Sequence, residues 1–227
     1  MSKRIINPSA QRTYQQINSV LEMLFAKHLV IAYNKVPPPD IHERECQITW
    51  LNHISDRANS GKSFTKLEQY LHILNTNSYH CLLLDGSIIR ANFQFKDDIL
   101  VKENLLWWPS PYDYGGLLEE GFSPVELIND FFCDEKWHQV IKMRSPIRVD
   151  YDGRRIAEPD HPYCHMHIEH EEARLDTRNP ICFSRFVDFI FKNFFPEYHI
   201  SFLQQDFIEY KVGKCDYVEY TTSHVIF

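Results

Sequence analysis

The sequence predicts a single α+β domain over residues 1–227, in which an antiparallel sheet packs against several helices. Strand-like alternation is concentrated in the middle of the chain, and helical spacing occurs on both sides of it. The regular β-α-β succession that indicates a parallel sheet does not occur. Neither a repeat nor a linker longer than the Pro37–Pro39 run divides the chain.

Four segments have the apolar spacing of helices, and three of these also have clear boundary residues. Proline follows a capping residue at three of the starts, where its missing N–H does no harm. The aromatic stripe of the last segment is predicted to be core rather than a cofactor site. The segments are Asn7-Pro8 to His28, Thr65–Leu74, the capping box Ser123–Glu126 with the apolar residues after it, and Asn179-Pro180 to Pro196.

The strand signals predict a meander followed by a second hairpin. An Asp-Gly turn at 85–86 is typical of a tight hairpin. The Trp107–Pro111 stretch is predicted to leave the sheet, because proline cannot stay in an interior strand. The predicted strands are His80–Leu84, Ser87–Phe95, Ile99–Leu106, Ile147–Tyr151 paired with His165–Glu169, and a weaker one at Asp216–Ile226.

Composition predicts a cytoplasmic protein with a sizeable core. Hydrophobic residues make up 44% of the chain, and no apolar run approaches the roughly 18 residues of a membrane span. The six cysteines are scattered without a Cys-x-x-Cys pair, which favours buried thiols over disulfides or a zinc ribbon. A net charge of -7 opposes nucleic-acid binding by the whole surface but leaves room for a local basic site.

Two stretches are similar to known motifs but lack features that these motifs require. The Asn59–Ser63 stretch ends like a phosphate-binding loop, but position 56 holds Asp56 instead of glycine and no buried strand precedes it. The His165–His170 stretch is similar to the metal motif of metallo-β-lactamase-like hydrolases. Glu169 replaces the aspartate of that motif, and the chain after it is too short for the remaining ligands of that fold.

The histidine-rich hairpin is the strongest candidate for chemistry. Alternation along its two strands places Arg148, Asp150, His165, His167 and Glu169 on one face, which we expect to be the exposed face of the sheet. The apolar residues between them are expected to pack on the core. The same polar alternation is also typical of any half-exposed strand, so a solvated face or a partner interface stays an alternative.

The polar residues on this face suit two kinds of chemistry. A carboxylate beside a histidine suits acid–base catalysis near neutral pH, and an arginine can hold a phosphate. Two histidines and a carboxylate can equally bind a divalent metal. The spacing favours metal-free chemistry, so no cofactor is predicted and a metal is left open. Further substrate contacts are predicted at His161, His170 and Arg174.

Several stretches of the chain resemble an uncharacterised bacterial family, the domain of unknown function 2290. They are Leu83–Ser87, Glu103–Pro111, Arg148–Asp152, His161–Ile168 and Phe183–Phe195, in this order. The resemblance implies an association with bacterial defence and mobile gene neighbourhoods. The Arg-x-Asp-Tyr and His-Pro-x-x-His-x-His patterns also look like those of small toxins suspected of cutting RNA, although the three glutamates at 169, 171 and 172 count against that likeness.

Three hypotheses follow, and the sequence leaves open whether the protein is an enzyme. The first is a defence or toxin-type effector that cuts RNA at the Arg148, Asp150, His165 and His167 face. The second is a non-catalytic subunit that binds a protein encoded nearby. Its anchors would be exposed aromatic residues, Trp107, Trp108, Tyr112 and Tyr114. The third is a structural zinc site drawing on Cys164, Cys182 and the two histidines.

Overall fold

The computed structural model of the chain describes residues 7–53, 67–132, 139–154, 162–169 and 173–213. Four α-helices lie in this part of the chain. They are α1 (Pro8–Ala26), α2 (Leu67–Asn75), α3 (Pro124–Phe132) and α4 (Phe183–Phe194). Two short 3-10 helices follow α4, at Pro196–Tyr198 and Gln204–Asp206.

The described residues form one sheet of eight strands. These are β1 (Val30–Tyr33), β2 (Glu45–Ile48), β3 (Cys81–Leu83), β4 (Ile88–Lys96), β5 (Ile99–Trp108), β6 (Ile147–Asp152), β7 (Cys164–Ile168) and β8 (Leu175–Asp176). Strands β3 to β8 are neighbours in chain order, β1 lies beside β3, and β2 pairs with the far end of β4. All the pairings between named strands are antiparallel.

The sheet has a core on each face, because successive side chains of a strand point to opposite sides. On the first face, residues such as Leu105, Val149 and Met166 belong to a large core that includes the buried stripes of α1 and α4. On the second face, Leu106 and Trp108 belong to a smaller core with residues of α2 and α3. The second core covers only part of its face, and this division positions the candidate site.

The predicted α+β fold with an antiparallel sheet is confirmed. The 85–86 turn, the meander and the pairing of the second hairpin are as the sequence indicates. Several element boundaries differ from the prediction, and three of these differences matter most. Strand β5 continues through Trp108 and ends just before Pro109, α4 begins at Phe183 rather than beside Asn179-Pro180, and β7 ends at Ile168. The weak strand predicted at Asp216–Ile226 lies outside the described residues.

The described cysteines Cys46, Cys81, Cys164 and Cys182 are buried and form no disulfide with one another, as predicted. Burial raises the pKa of the Cys81 thiol, so this side chain acts as a small apolar group. Within the described part of the chain, no helix is long and apolar enough to cross a membrane.

A carboxyl group is buried in the larger core beneath α4. The side chain of Glu103 has no exposed surface, and its Oε1 accepts a hydrogen bond from the backbone N–H of Ile181 at 3.2 Å. Its Oε2 makes no hydrogen bond with the described residues. Burial raises the pKa of Glu103 well above its ordinary value, because it disfavours the charged form of the carboxyl.

We therefore expect Glu103→Gln to be more stable than the wild type at pH 8. The unfolded wild-type chain loses the Glu103 proton above about pH 4.3, whereas the folded chain holds it to higher pH, so folding becomes less favourable as pH rises between the two pKa values. The amide keeps the acceptor for Ile181 and does not titrate. Each unit by which the pKa is raised contributes about 1.4 kcal/mol to this difference.

Urea unfolding of both proteins at pH 4.5 and pH 8 measures the effect. The free-energy difference between the variant and the wild type should be small at pH 4.5 and should favour the variant at pH 8. Equal differences at the two pH values would mean that the folded carboxyl is ionised.

Candidate active site

The second face of the sheet changes from apolar to polar along its length. Near α2 and α3 this face carries the smaller core. Beyond that core, the side chains that five of the strands place on this face are polar. One cross-strand row runs through paired positions of β4, β5, β6, β7 and β8. It consists of Asn92, Asn104, Asp150, His165 and Asp176.

The hairpin of β6 and β7 contributes the charged part of this face. Arg148 pairs with His167 and Asp150 pairs with His165 in the antiparallel register. Since the residues between them, Val149 and Met166, belong to the larger core, all four polar side chains point to the second face. The structure thus brings together Arg148, Asp150, His165 and His167 as the alternation predicts, and we call them the hairpin cluster.

The prediction that this face is exposed is wrong. His165 and His167 are 3% and 2% exposed, and Arg148 is also buried. The side chain of Asp150 is the most open member, at 17% exposed. Charged groups at this depth are costly unless they are paired, so their contacts decide what the cluster can do.

Asp150 is the centre of the hairpin cluster. Its Oδ2 accepts a hydrogen bond from Arg148 Nε at 2.8 Å and lies 3.3 Å from His167 Nε2. Its Oδ1 accepts a hydrogen bond from Asn104 Nδ2 at 2.7 Å. Burial alone would raise the pKa of Asp150, but the contact with His167, the charge of Arg148 and the amide of Asn104 lower it well below its ordinary value. Asp150 is therefore an ionised carboxylate.

The two imidazole rings lie edge to face, with centroids 4.7 Å apart. His165 Nδ1 lies 2.9 Å from the carbonyl oxygen of Pro162. A carbonyl only accepts, so this contact places the proton of neutral His165 on Nδ1 and leaves Nε2 as the basic nitrogen. Neither ring nitrogen of His167 makes a well-aligned hydrogen bond with the described residues, and its closest charged partner is Asp150.

A chain of side-chain amides leads to Asp150 from the other end of the polar row. Gln47 Nε2 donates to Asn92 Oδ1 at 2.7 Å, and Asn92 Nδ2 donates to Asn104 Oδ1 at 3.3 Å. Asn104 then donates to the carboxylate. Every donor in the chain points toward Asp150, so the amides fix its orientation and favour its charge. The sequence interpretation missed these three residues, although the alternation of polar residues along β4 and β5 is visible in the sequence.

Two other charged residues of the second face were also missed. Arg90 is buried with its guanidinium 3.7 Å from the ring centroid of Trp50, and it lies two strands from Arg148 in the same cross-strand row. Burial lowers the pKa of Arg90 to about 9, which leaves it a cation at neutral pH. Asp176 pairs with His165 in the register and accepts a hydrogen bond from the backbone N–H of Arg178 at 2.7 Å.

The remaining predicted site residues lie differently. Glu169 follows the end of β7, is exposed and has a φ of 66°, so the continuing strand that would have aligned it with the histidines is absent. Arg174 is half-buried just before β8. His161 and His170 lie outside the described residues. Cys164 points to the larger core on the opposite face, so it does not share a site with His165 and His167.

The aromatic residues proposed as exposed anchors are not exposed. Trp107 belongs to the larger core, and Trp108, Tyr112 and Tyr114 belong to the smaller one. All four are buried. The prediction was wrong because β5 continues through both tryptophans, so their alternation places one in each core.

The geometry of the hairpin cluster suits two kinds of chemistry. An ionised carboxylate, two imidazoles and a guanidinium can move protons and neutralise an anion. The same carboxylate and imidazoles also have one ligand atom each within 4.8 Å of one another, which is the donor set of a transition-metal ion. Among the histidine, cysteine and acidic side chains of the described residues, these three are close enough together to bind one metal ion.

Comparison with known proteins identifies a family but no activity. A family model described as "Uncharacterized conserved protein (DUF2290)" matches residues 30–225, which contain all eight strands and the hairpin cluster. No curated protein and no solved structure matches the chain. Since the model covers most of the sequence, the chain belongs to the DUF2290 family.

Proposed function

We propose that the protein cleaves phosphodiester bonds of RNA at the hairpin cluster. The observation that carries this proposal is the convergence of two histidines and an arginine on one ionised carboxylate, at 2.8 Å for Arg148 and 3.3 Å for His167. These groups supply a base, an acid and a fixed positive charge, which phosphodiester cleavage requires. The family assignment adds no activity of its own.

The reaction we propose is attack by the ribose 2′-hydroxyl on the adjacent phosphorus. The 2′-oxygen–phosphorus bond forms and the 5′-oxygen–phosphorus bond breaks, giving a cyclic phosphate and a free 5′-hydroxyl. The hydroxyl proton passes to one histidine of the cluster, and the leaving oxygen receives a proton from the other. Asp150 orients His167 and the Pro162 carbonyl orients His165, while Arg148 neutralises charge on the phosphate.

The burial of the cluster favours a single-stranded substrate. The histidines are almost fully buried, whereas the side chain of Asp150 retains 17% exposure. A phosphate would therefore approach from the Asp150 side. Single-stranded RNA can turn one phosphate toward a largely buried group of side chains, whereas a duplex holds its backbone in a rigid helix.

The test is cleavage of an end-labelled single-stranded RNA, with a DNA of the same sequence as the control substrate. We expect RNA to be cut and DNA, which has no 2′-hydroxyl, to be left intact. The variant His165→Gln/His167→Gln should lose at least 100-fold in rate, since acid–base groups contribute 10²–10⁴-fold. His42→Ala, at an exposed histidine, should cleave as the wild type does.

Far-UV circular dichroism of each variant separates loss of chemistry from loss of folding. Equal cleavage by the double variant and the wild type would refute the proposal, and so would intact RNA under all conditions. Inhibition of bacterial growth on expression, lost in the double variant, would extend the proposal to a toxin-type effector.

The second candidate is a non-catalytic subunit that binds a protein partner. Burial of the four aromatic residues removes the anchors that first suggested it. A stable complex with a protein encoded by a neighbouring gene, formed equally by the double histidine variant and without RNA cleavage, would favour this candidate over the nuclease.

A further inference from the structure

We infer that Asp150, His165 and His167 bind one divalent transition-metal ion. The inference concerns the cofactor of the hairpin cluster, and it rests on the proposed function only for the use made of the ion. Binding itself follows from the arrangement of the three side chains and can be measured without RNA.

The distances between the ligand atoms are the first argument. One carboxylate oxygen and one nitrogen from each histidine lie within 4.8 Å of one another. Zinc–oxygen and zinc–nitrogen bonds are about 2.1 Å long, so two ligands of a tetrahedral ion are about 3.4 Å apart. Rotation of the three side chains that brings their ligand atoms closer by up to about 1.4 Å would complete the coordination.

The groups behind the ligands are the second argument. Histidines that bind metals commonly donate their other ring N–H to a carbonyl or carboxylate, which fixes the ring and makes the ligating nitrogen more basic. His165 has such a contact, from Nδ1 to the Pro162 carbonyl oxygen at 2.9 Å. Asp150 is held in the same way by Asn104 at 2.7 Å.

His167 supplies the third argument. The residue is 2% exposed, and neither of its ring nitrogens makes a well-aligned hydrogen bond with the described residues. A buried polar group of this kind calls for an explanation, such as an ion or a water molecule. An ion between His167 and Asp150 would satisfy the ring nitrogen, and the carboxylate would then be shared between the ion and Arg148.

Ligand chemistry selects the class of ion. Two imidazoles and one carboxylate favour zinc, cobalt, iron or manganese over magnesium or calcium, which prefer oxygen ligands. Three protein ligands leave a coordination position open for water, as in catalytic rather than structural zinc sites. A bound ion would lower the pKa of such a water, and the resulting hydroxide would take the 2′-hydroxyl proton in place of an imidazole. The leaving 5′-oxygen would then take its proton from a water molecule, because histidines that ligate the ion cannot donate one.

The experiment titrates protein that has been dialysed against a chelator with Zn²⁺ and with Co²⁺. Calorimetry should give one Zn²⁺ per chain, and the melting temperature should rise with Zn²⁺. Visible absorption of bound Co²⁺ should lack an intense sulfur-to-metal band, because the ligands are nitrogen and oxygen. His165→Gln and His167→Gln should each lose at least 100-fold in affinity, and Asn104→Ala about tenfold.

His42→Ala is the matched control and should bind as the wild type does, since this histidine is exposed. Absence of saturable binding near one ion per chain in the folded wild type would overturn the inference. So would unchanged binding in either folded histidine variant, and the wild-type titration decides the matter if both variants unfold. Metal binding without RNA cleavage would refute the proposed function alone, and cleavage by a chain that binds no metal would refute this inference alone.

Discussion

Asp150→Ala should lower the free energy of unfolding by about 3–5 kcal/mol, because it removes the carboxylate to which the buried Arg148 guanidinium donates. Arg148 donates to the carboxylate at 2.8 Å, and the guanidinium side chain is only 9% exposed. The substitution also removes the acceptor of the Asn104 amide. Urea unfolding of the wild type and the variant at neutral pH measures the loss.

A double-mutant cycle separates the pair from the rest of the site. Replacing both partners, as Arg148→Leu/Asp150→Leu, should cost clearly less than the sum of the two single changes, because no uncompensated charge remains. The exposed pair Lys35–Glu22 is the matched control. Its N–O distance is 2.6 Å, yet Glu22→Ala should cost less than about 1 kcal/mol. Additive losses at Arg148 and Asp150 would contradict the contact.

Trp107→Ala should lower the free energy of unfolding by about 3–5 kcal/mol, as expected for truncation of a large core aromatic. The indole is buried, and it stacks on Phe194 with ring centroids 4.3 Å apart. A partner-binding anchor would behave in the opposite way, since its loss would weaken a complex and leave the isolated protein stable.

Thermal or urea unfolding of the isolated protein distinguishes these roles for Trp107. Leu203→Ala is a suitable control, because this leucine is 63% exposed and its truncation should change the stability by less than about 0.5 kcal/mol. A Trp107→Ala protein as stable as the wild type would show that the tryptophan is not part of the core.

Local periodicity was enough to predict which side chains of the site share one face of the sheet. Alternation along the hairpin was enough to place Arg148, Asp150, His165 and His167 on one face, and strand pairing then set their register. Periodicity gives the side of a sheet but not what covers it, so the sequence could not show that this side is buried. It also could not show that β7 ends before Glu169.

Elements with weak local signals were harder to predict. Strand β2 alternates over only four residues, and β8 has two, so both depend on pairing with neighbouring strands rather than on their own sequence. The amides of Asn92 and Asn104 carry no charge and match no catalytic motif. Their role follows only from where β4 and β5 place them beside Asp150.

We propose that Asp150, His165 and His167 form a functional site rather than a purely structural group of buried polar side chains. Anomalous diffraction from crystals grown with Zn²⁺, recorded on both sides of the zinc edge, tests it most directly. We expect one strong anomalous peak about 2.1 Å from a carboxylate oxygen of Asp150 and from one nitrogen of each histidine. Full zinc occupancy elsewhere on the chain, with no peak between these three side chains, would contradict it.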